Sequence, residues 1–542
     1  MDGLRAIPFF AFIRQLEIIS RTAQRPSLPL TGENALLGGQ LGDLPEICPT
    51  MGYRVPRAHF EHPPNRERRP LNAERRTVNG ERNAQAGPAK CLDPDINSFY
   101  IELNCFAPMK RTISFLAACF SCTVAFAAPT ELTYWDFLGG GDGVRMKQIV
   151  EEFNKSQSEI HVTESTLTWG EPFYTKVHTA VVAGQTPDVM TYHLSHFPTG
   201  ILSKDLRPLS NEELSQAGLK ASDFQQSLVE RSLEISKKYG QSDQLFGVPL
   251  DIHTLVLYYS KTALQKAGVL GSDGKPSGTD SFQAFTKMLA TVKEKTHLIP
   301  VSANFHSQDP ASLWRIWYTF FRQQDGDFLK EGQLSFDDLP NQGTKALQQM
   351  ADCTKDGLMP KNTGYSAMVA LFTAGRAAFM INGNWEVPTL VDLKKQGKLT
   401  FDYGVAPFPK LFDNQRTWAD SHQLAIPNNA KTPPSPEKVA AALKFIAYVV
   451  RQVTWAGGGH IPAYLPVQES DEYKQMVPNN EYSAQAAKNV EFEPPLPIFG
   501  VGGPTFEPIS NFLVPAVNGQ LPVDQGIKRF GEELQKFEKQ QH

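Results

Sequence analysis

Cysteine is almost missing from most of this chain. The 542 residues include six cysteines, and Cys353 alone lies beyond residue 127. A segment with a single cysteine cannot form an internal disulfide, so residues 128–542 must depend on hydrophobic cores for their stability. That segment is also longer than the roughly 250–300 residues at which single cores usually divide into domains.

Charge of one sign and long apolar runs are equally scarce. The formal net charge is −4, and from residue 109 onward acidic residues slightly outnumber basic ones without forming a block. This balance indicates neither a nucleic-acid partner nor an anionic membrane surface. The one apolar run that approaches a membrane span, residues 113–128, contains Ser114, Ser121 and Thr123. It is shorter than the roughly 20 residues that a spanning helix needs.

The same apolar run has the parts of a secretory signal peptide. Two basic residues precede it, and Ala125 and Ala127 form a small-x-small cleavage site. We therefore predict a signal peptide at residues 109–127, cleaved after Ala127, and a mature protein exported to the periplasm. A lipoprotein signal ending at Cys119 is the alternative, but its cleavage would leave an apolar N-terminus instead of a polar tether.

Residues 1–108 differ in composition from the rest. They contain twelve arginines and one lysine, and stretches such as HPPNRERRPLNAERR show neither helical nor strand periodicity. Their acidic residues nearly cancel the positive charge, which argues against a nucleic-acid-binding arm. We predict either an over-extended start, with translation beginning at Met109, or a disordered N-terminal extension. On both interpretations the segment is excluded from the fold.

The chain after the signal alternates strand and helix patterns. ELTYWDF, EIHVTEST and PDVMTYH have strand character, and two helical stretches lie between them. In the first helix Val144, Ile149, Val150 and Phe153 form an apolar stripe. This order predicts a parallel α/β layer with right-handed crossovers. Farther on, SPEKVAAALKFIAYVVRQ predicts a helix with a serine cap and a proline at its first position.

Five motifs follow one another over roughly residues 130–540. They are GQTPDVM, FGVPLDIHTLVLYYSKTALQKAG, FTAGRAAFMINGNWE, YGVAPFP and GGGHIPAYLPV. In order and spacing, this chain resembles the extracellular solute-binding proteins of carbohydrate ABC transporters, the maltose-binding-protein-like type. Phe379 before Met380, and Ser260 after the double tyrosine, depart from the family pattern. The ligand is therefore not assumed to be maltose.

The resemblance implies a two-lobe α/β architecture, the type II-like periplasmic-binding-protein fold. Each lobe is a sheet layered with helices, and hinge segments cross between the lobes. We assign residues 128–248 plus about 418–466 to lobe 1, and about 249–417 plus 467–542 to lobe 2. The resemblance also implies capture of a mono- or oligosaccharide by hinge closure and delivery to the membrane permease of an ABC importer. We expect no enzymatic activity, no cofactor and a monomer.

A sugar site needs aromatic plates for the C–H faces and charged or amide groups for the hydroxyls. The candidate ligand contacts are tryptophans and polar residues at predicted element ends or on the crossing strands. They are Trp135, Asp142, Trp169, Glu171, Asp251, His253, Asn384, Trp385, Trp418, Asp420, His422 and His460. The resemblance assigns a stacking role to Trp385.

Several of these candidates have a structural alternative. Trp169 and Glu171 could bind a sugar, or could pack over and cap the next helix. Asp251 and His253 are two residues apart on a predicted strand and so share a face, but Asp251 could also be a carboxylate that fixes the hinge. The three glycines before His460 permit a close backbone approach to a ligand, or form a flexible linker.

Recurring histidines raise the possibility of a metal. The sequence has neither a nearby cysteine nor a His-Glu-x-x-His helix nor a dense carboxylate cluster, so we predict no metal site. The alternative function is a two-lobe binding protein for a non-sugar solute, an anion or a metal complex. Few basic residues flank the tryptophan-bearing segments, which counts against an anion. An exported glycosidase is the third hypothesis.

Overall fold

A computed structural model describes residues 128–541. Residues 1–108 and the predicted signal peptide lie outside the described residues, so the predictions for them stay untested. The described part is an α/β structure built on two mixed sheets and a short hairpin. Within it, no helix is both long enough and apolar enough to cross a membrane.

Fourteen strands are described, numbered β1 to β14 in chain order. They are Thr130–Asp136, Ile160–Thr166, Val189–His193, Val248–Pro249, Asp251–Ser260, Ile299–Ser302, Leu329–Lys330, Gln333–Leu334, Ala377–Gly383, Tyr403–Pro407, Thr417–Asp420, His422–Ala425, Ile461–Pro462 and Val490–Phe492. The first sheet has the order β2-β1-β3-β12-β4. The second has the order β14-β11-β5-β9-β6, with β10 and β13 also paired to β5, and β7 and β8 form the hairpin.

Nineteen α-helices are described, numbered α1 to α19. They are Gly140–Ser156, Glu171–Ala183, Phe197–Leu202, Asn211–Gln216, Gln226–Gly240, Lys261–Ala267, Phe282–Thr296, Ala311–Gln323, Thr344–Lys355, Tyr365–Thr373, Val387–Lys395, Pro436–Val449, Val453–Ala456, Leu465–Gln468, Asp471–Lys474, Asn479–Ala486, Phe506–Pro508, Val514–Val517 and Val523–Gln541. The predicted serine cap of α12 is confirmed, since the Ser435 hydroxyl accepts a hydrogen bond from the Lys438 N–H at 3.3 Å.

The first sheet confirms the predicted parallel layer. Strand β1 pairs in parallel with β2 and with β3, and α1 and α2 connect them. The buried stripe of α1 contains Ile149, Val150 and Phe153 as expected, but Met146 takes the place predicted for Val144. Val144 is 65% exposed because it lies two residues, or about 200° around the helix, from Met146.

The second sheet is centred on β5. All ten residues of this strand are buried, and β9, β10, β11 and β13 pair with it in antiparallel fashion. A strand covered on both faces is expected to be continuously apolar. Strand β5 follows that rule from Leu255 to Tyr259, whereas its first residues, Asp251 to Thr254, are polar apart from Ile252.

The chain passes between the two sheets at two adjacent points. Leu250 separates β4 from β5, and Ser421 separates β11 from β12. Gln423 pairs with Pro249 in the first sheet, and Asp420 pairs with His253 in the second. Strand β13 adds a third segment alongside β5. We call residues 248–254, 419–425 and 459–462 the crossing segments; the lobe boundaries given above remain a prediction.

Candidate functional site

The crossing segments meet at the carboxylate of Asp251. One oxygen, Oδ1, accepts hydrogen bonds from the backbone N–H of His422 (3.1 Å) and from Nδ1 of His253 (3.1 Å). The other, Oδ2, accepts from Nδ1 of His422 (2.8 Å) and from Nε1 of Trp455 (2.8 Å). Burial alone would raise the pKa of Asp251, but the neighbouring His422 and His460 and the hydrogen bonds hold it well below the usual value. Asp251 is therefore an ionised group that joins the crossing segments.

His460 extends this network to the start of α1. Its Nε2 lies 3.1 Å from Oδ1 of Asp142, and its Nδ1 lies 3.6 Å from Oδ2 of Asp251. Burial lowers the pKa of His460, but the two carboxylates outweigh that effect and raise it above the ordinary value. Gly459, just before it, has φ +88°, and a Cβ there would lie 2.0 Å from the Asn384 carbonyl oxygen. The close backbone approach expected of these glycines is made to the protein itself.

Asn384 supports the same region from the second sheet. Its side chain accepts from the Thr254 N–H (3.2 Å) and donates to the Gly459 carbonyl (3.0 Å). The residue is completely buried. Its amide therefore has partners in two crossing segments, and its predicted contact with a ligand stays a prediction.

Three tryptophans from different elements surround one guanidinium. Cζ of Arg315, on α8, lies 4.6 Å from the ring centre of Trp418, 4.8 Å from Trp385 and 5.8 Å from Trp169. The rings of Trp385 and Trp418 stand at 90° to each other with centroids 6.3 Å apart. We call these three residues the tryptophan cluster. Trp169 follows β2 of the first sheet and Trp385 follows β9 of the second, so the cluster unites both sheets.

Beside the tryptophan cluster lies a second polar group. Asp420 accepts from the backbone N–H of Ser195 (3.0 Å), the hydroxyl of Ser195 (2.5 Å) and the Ser421 N–H (2.8 Å). Burial still raises its pKa to about 7. His193, at the end of β3, is hydrogen-bonded through Nδ1 to the Tyr174 hydroxyl (2.6 Å), and burial lowers its pKa well below the usual value. A neutral histidine such as His193, and a carboxyl group whose pKa is near neutral pH such as Asp420, can each donate or accept hydrogen bonds.

Two predicted contacts lie apart from these groups. Trp135 on β1 is only partly buried and lies under the ammonium of Lys176, 5.0 Å from the ring centre. Glu171 is exposed at the first turn of α2, close behind Trp169. Among residues 128–541, neither side chain forms a hydrogen bond or an ion pair with the Asp251 network or the tryptophan cluster, and their roles stay predictions.

Arg315, Ser195 and His193 contact residues of the candidate site but were not among the predicted ligand contacts. Arg315 lies in the middle of a helix whose pattern is apolar, WRIWYTFF, and nothing local distinguishes it from a surface arginine. His193 carried a signal, since it ends a buried strand in the first sheet, where loops at strand ends form sites.

Two sets of side chains have the composition of a metal site. In one, Asp251, His253, His422 and His460 bring one ligand atom each within 4.8 Å of one another. In the other, His193, His253 and Asp420 do the same. The absence of a metal site was predicted because the sequence has no cysteine partner, no His-Glu-x-x-His helix and no dense carboxylate cluster. The fold instead gathers histidines from separate segments around one carboxylate. Imidazole and carboxylate would suit a transition metal such as zinc.

Two α/β sheets joined by crossing segments, with polar and aromatic residues of both gathered at the junction, define a two-lobe solute-binding protein. The family model for bacterial extracellular solute-binding proteins matches residues 148–480, and the chain belongs to this family.

Individual relatives agree with that assignment. A maltooligosaccharide ABC transporter solute-binding lipoprotein of Streptococcus pneumoniae is 24% identical over 69% of this chain and 82% of its own length. The sn-glycerol-3-phosphate-binding periplasmic protein UgpB of Yersinia enterocolitica is 23% identical over 70% of this chain and 85% of its own. The GacH receptor of Streptomyces glaucescens has a similar fold, with a TM-score of 0.63, 20% identity, and 75% of this chain and 98% of that one covered.

Proposed function

We propose that this protein is the substrate-binding component of an ABC-type sugar importer. It captures a mono- or oligosaccharide between two lobes by closing about the crossing segments, and delivers it to the membrane permease. The maltooligosaccharide-binding relative supports the transport class, and the structural likeness to GacH, a receptor solved with acarbose, supports the two-lobe arrangement.

One observation carries the proposal: aromatic plates from both sheets face the same point. Trp169 from the first sheet and Trp385 from the second both lie against Arg315. Trp169 lies beside the first sheet and Trp385 beside the second, and we call these two facing surfaces the walls. Indole rings on both walls can cover both apolar faces of a sugar. The walls are in contact in this structure, so a saccharide enters when they separate. A solute that touches both walls stabilises the closed state, because it binds that state more tightly.

The finer features of this function follow from the same assignment. We propose that the protein acts in the periplasm after cleavage behind Ala127, as a monomer that binds its ligand without turning it over. Lobe 1 comprises residues 128–248 plus about 418–466, and lobe 2 about 249–417 plus 467–542. Product analysis by chromatography after incubation with each bound saccharide distinguishes this binding protein from an exported glycosidase.

The first test is thermal unfolding of the purified protein with mono-, di- and oligosaccharides. A ligand at 100 times its Kd that binds only the folded state adds about 2.7 kcal/mol, which raises Tm visibly. A shift with a saccharide, without products, supports the proposal. Shifts confined to zinc or iron complexes would instead support the second candidate, a metal-complex carrier, which the gathered Asp251, His253, His422 and His460 favour.

The role of Trp385 is tested by substitution. Trp385→Ala removes one plate and is expected to weaken saccharide binding by about 2 kcal/mol, or roughly 30-fold in Kd. Trp385→Phe keeps an aromatic face and should lose much less. Isothermal titration with the saccharide found in the thermal panel measures both. Equal affinity for the wild type and Trp385→Ala would contradict the stacking role.

A further inference from the structure

Arg315 is a buried cation without a counterion in the structure. Its side chain is 8% exposed, and it lies between the walls that carry the tryptophan cluster. Within residues 128–541 its guanidinium makes neither an ion pair nor a hydrogen bond. A buried charge is costly unless it is paired and hydrogen-bonded. The three indole rings stabilise the charge in part, but they give the guanidinium N–H groups no carboxylate or carbonyl acceptor. An acceptor from outside the described residues is therefore expected to pair with it.

The same helix shows how a buried arginine is satisfied. Arg322, seven residues farther along α8, is 7% exposed. Its guanidinium forms ion pairs with Asp327 (2.6 Å) and Glu491 (2.8 Å), and Nη1 also donates to the Gly326 carbonyl (2.7 Å). Two arginines with the same burial on one helix thus differ in whether the protein provides partners.

The carboxylates near Arg315 are held by other donors. Glu493 accepts from Nε1 of Trp314 (2.8 Å), Nε1 of Trp418 (2.7 Å) and the Gly500 N–H (2.8 Å). Asp420 is held by Ser195, and Asp309 accepts from Nδ2 of Asn304 (2.7 Å). All three lie near enough to raise the pKa of Arg315, which burial lowers, but none forms an ion pair with it. Burial is the larger effect, so the pKa of Arg315 is lowered overall, and these carboxylates leave the guanidinium donors unoccupied.

We propose that the solute is an acidic saccharide, and that its oxyanion pairs with Arg315 while its sugar ring packs against the tryptophan cluster. This inference rests on the proposed function for the sugar part. The guanidinium fork matches the two oxygens of a carboxylate or a phosphate in a bidentate pair, which a neutral hydroxyl cannot form. Such a ligand supplies the missing counterion between the two walls.

The oxyanion has two possible sources, the carboxylate of a uronic acid or the phosphate of a sugar ester. Isothermal titration of the purified protein distinguishes them with matched probes: D-glucuronate and D-galacturonate, glucose 6-phosphate, and the neutral D-glucose and D-galactose. The di- and trisaccharides of galacturonate and galactose extend the series. sn-Glycerol 3-phosphate and inorganic phosphate carry the charge without a sugar ring.

Two variants of α8 provide the matched comparison. Arg315→Met removes the charge at the site and is expected to reduce affinity for the acidic member of a pair by about 100-fold or more, while the neutral member changes little. Arg322→Met removes a paired arginine outside the tryptophan cluster. It should lower Tm and leave the preference for acidic over neutral ligands unchanged. Ligand-free Arg315→Met should keep or raise Tm, because it removes an unpaired buried charge.

Each outcome decides one of the two ideas. An acidic saccharide that binds more tightly than its neutral partner, with the preference lost in Arg315→Met, supports the inference. A neutral saccharide that binds as well or better, or a preference that survives in Arg315→Met, overturns it and leaves the importer standing. Arg315-dependent binding of only sn-glycerol 3-phosphate or phosphate keeps the oxyanion site but overturns its saccharide part. No binding of any acidic probe overturns the inference, and the importer is then decided by the thermal unfolding panel of mono-, di- and oligosaccharides.

Discussion

Replacing Asp251 by asparagine tests whether this carboxylate holds the crossing segments together. Each carboxylate oxygen accepts from one histidine Nδ1 and from one donor that cannot change its proton, the His422 backbone N–H on Oδ1 and the Trp455 indole N–H on Oδ2. Histidine can switch tautomer and become an acceptor, but a backbone amide and an indole cannot. In asparagine an NH₂ group replaces one of the two carboxylate oxygens. At either position, that change leaves the His422 backbone N–H or the Trp455 indole N–H without an acceptor.

The expected cost follows from this count. A buried donor without a partner costs about 1–3 kcal/mol, and hydrogen bonds to a neutral acceptor are weaker than those to a carboxylate. We expect Asp251→Asn to lower the free energy of unfolding by about 3 kcal/mol at neutral pH. Removal of the side chain in Asp251→Ala leaves every donor unpaired and should cost more.

Urea unfolding, followed by tryptophan fluorescence and by circular dichroism, measures the difference. Glu159→Gln is the control, because Glu159 forms an exposed ion pair with Lys444 at 3.4 Å and its loss should not be measurable. An Asp251→Asn protein that is as stable as the wild type would refute the structural role. If that protein also lost saccharide binding, Asp251 would be a ligand contact, as the sequence first suggested.

Two further predictions concern single residues. Gly459→Ala should destabilise the protein far more than Gly397→Ala. Both glycines have positive φ, but only at Gly459 would a new Cβ lie 2.0 Å from another atom, the carbonyl oxygen of Asn384. Similar melting temperatures of the two variants would contradict this clash. Burial lowers the pKa of His196 to about 4 in the folded protein, whereas the ordinary value is about 6.5. Between these two pH values the unfolded chain therefore binds a proton at His196 and the folded chain does not. The wild type should therefore lose up to about 3 kcal/mol of stability relative to His196→Gln as pH falls through that window, and a difference independent of pH would contradict it.

Local patterns were sufficient to predict the three parallel strands of the first sheet and the two helices that connect them. The alternation in β1 and the apolar stripe of α1 are short-range signals, and both correspond to the observed elements. Val144 was placed on the apolar stripe by its spacing, but it lies at the helix start, where too few residues fix which face is apolar, and Met146 is buried instead. The fold class followed from five ordered motifs, none of which would have been specific alone.

The site was predictable only in part. Trp169, Trp385 and Trp418 were all expected at it, and the structure brings the three together around Arg315. Arg315 was missed because the three members of the tryptophan cluster lie between 70 and 146 positions away from it along the chain. The expectation that few basic residues flank the tryptophans came from sequence neighbours, which do not record a contact made across a helix and two sheets.

His253 connects the network at the crossing segments to the tryptophan cluster. Its Nδ1 donates to Asp251, and its ring lies 6.0 Å from both Trp385 and Trp418. In the closure proposed above, the Asp251 network contributes a part of the free energy that is independent of the solute. The tryptophan cluster with Arg315 contributes the part that depends on the solute. A change in the first part alters only the population of the closed state and so scales every affinity by the same factor.

A change in the second part scales affinities according to the charge of the solute. Asp251→Asn should therefore leave the ratio of acidic to neutral affinity as it is in the wild type, whereas Arg315→Met should abolish the preference. If Asp251→Asn changed that ratio, the wild-type carboxylate of Asp251 would act on the solute directly. The Asp251 network and the tryptophan cluster with Arg315 would then not contribute independently to the affinity.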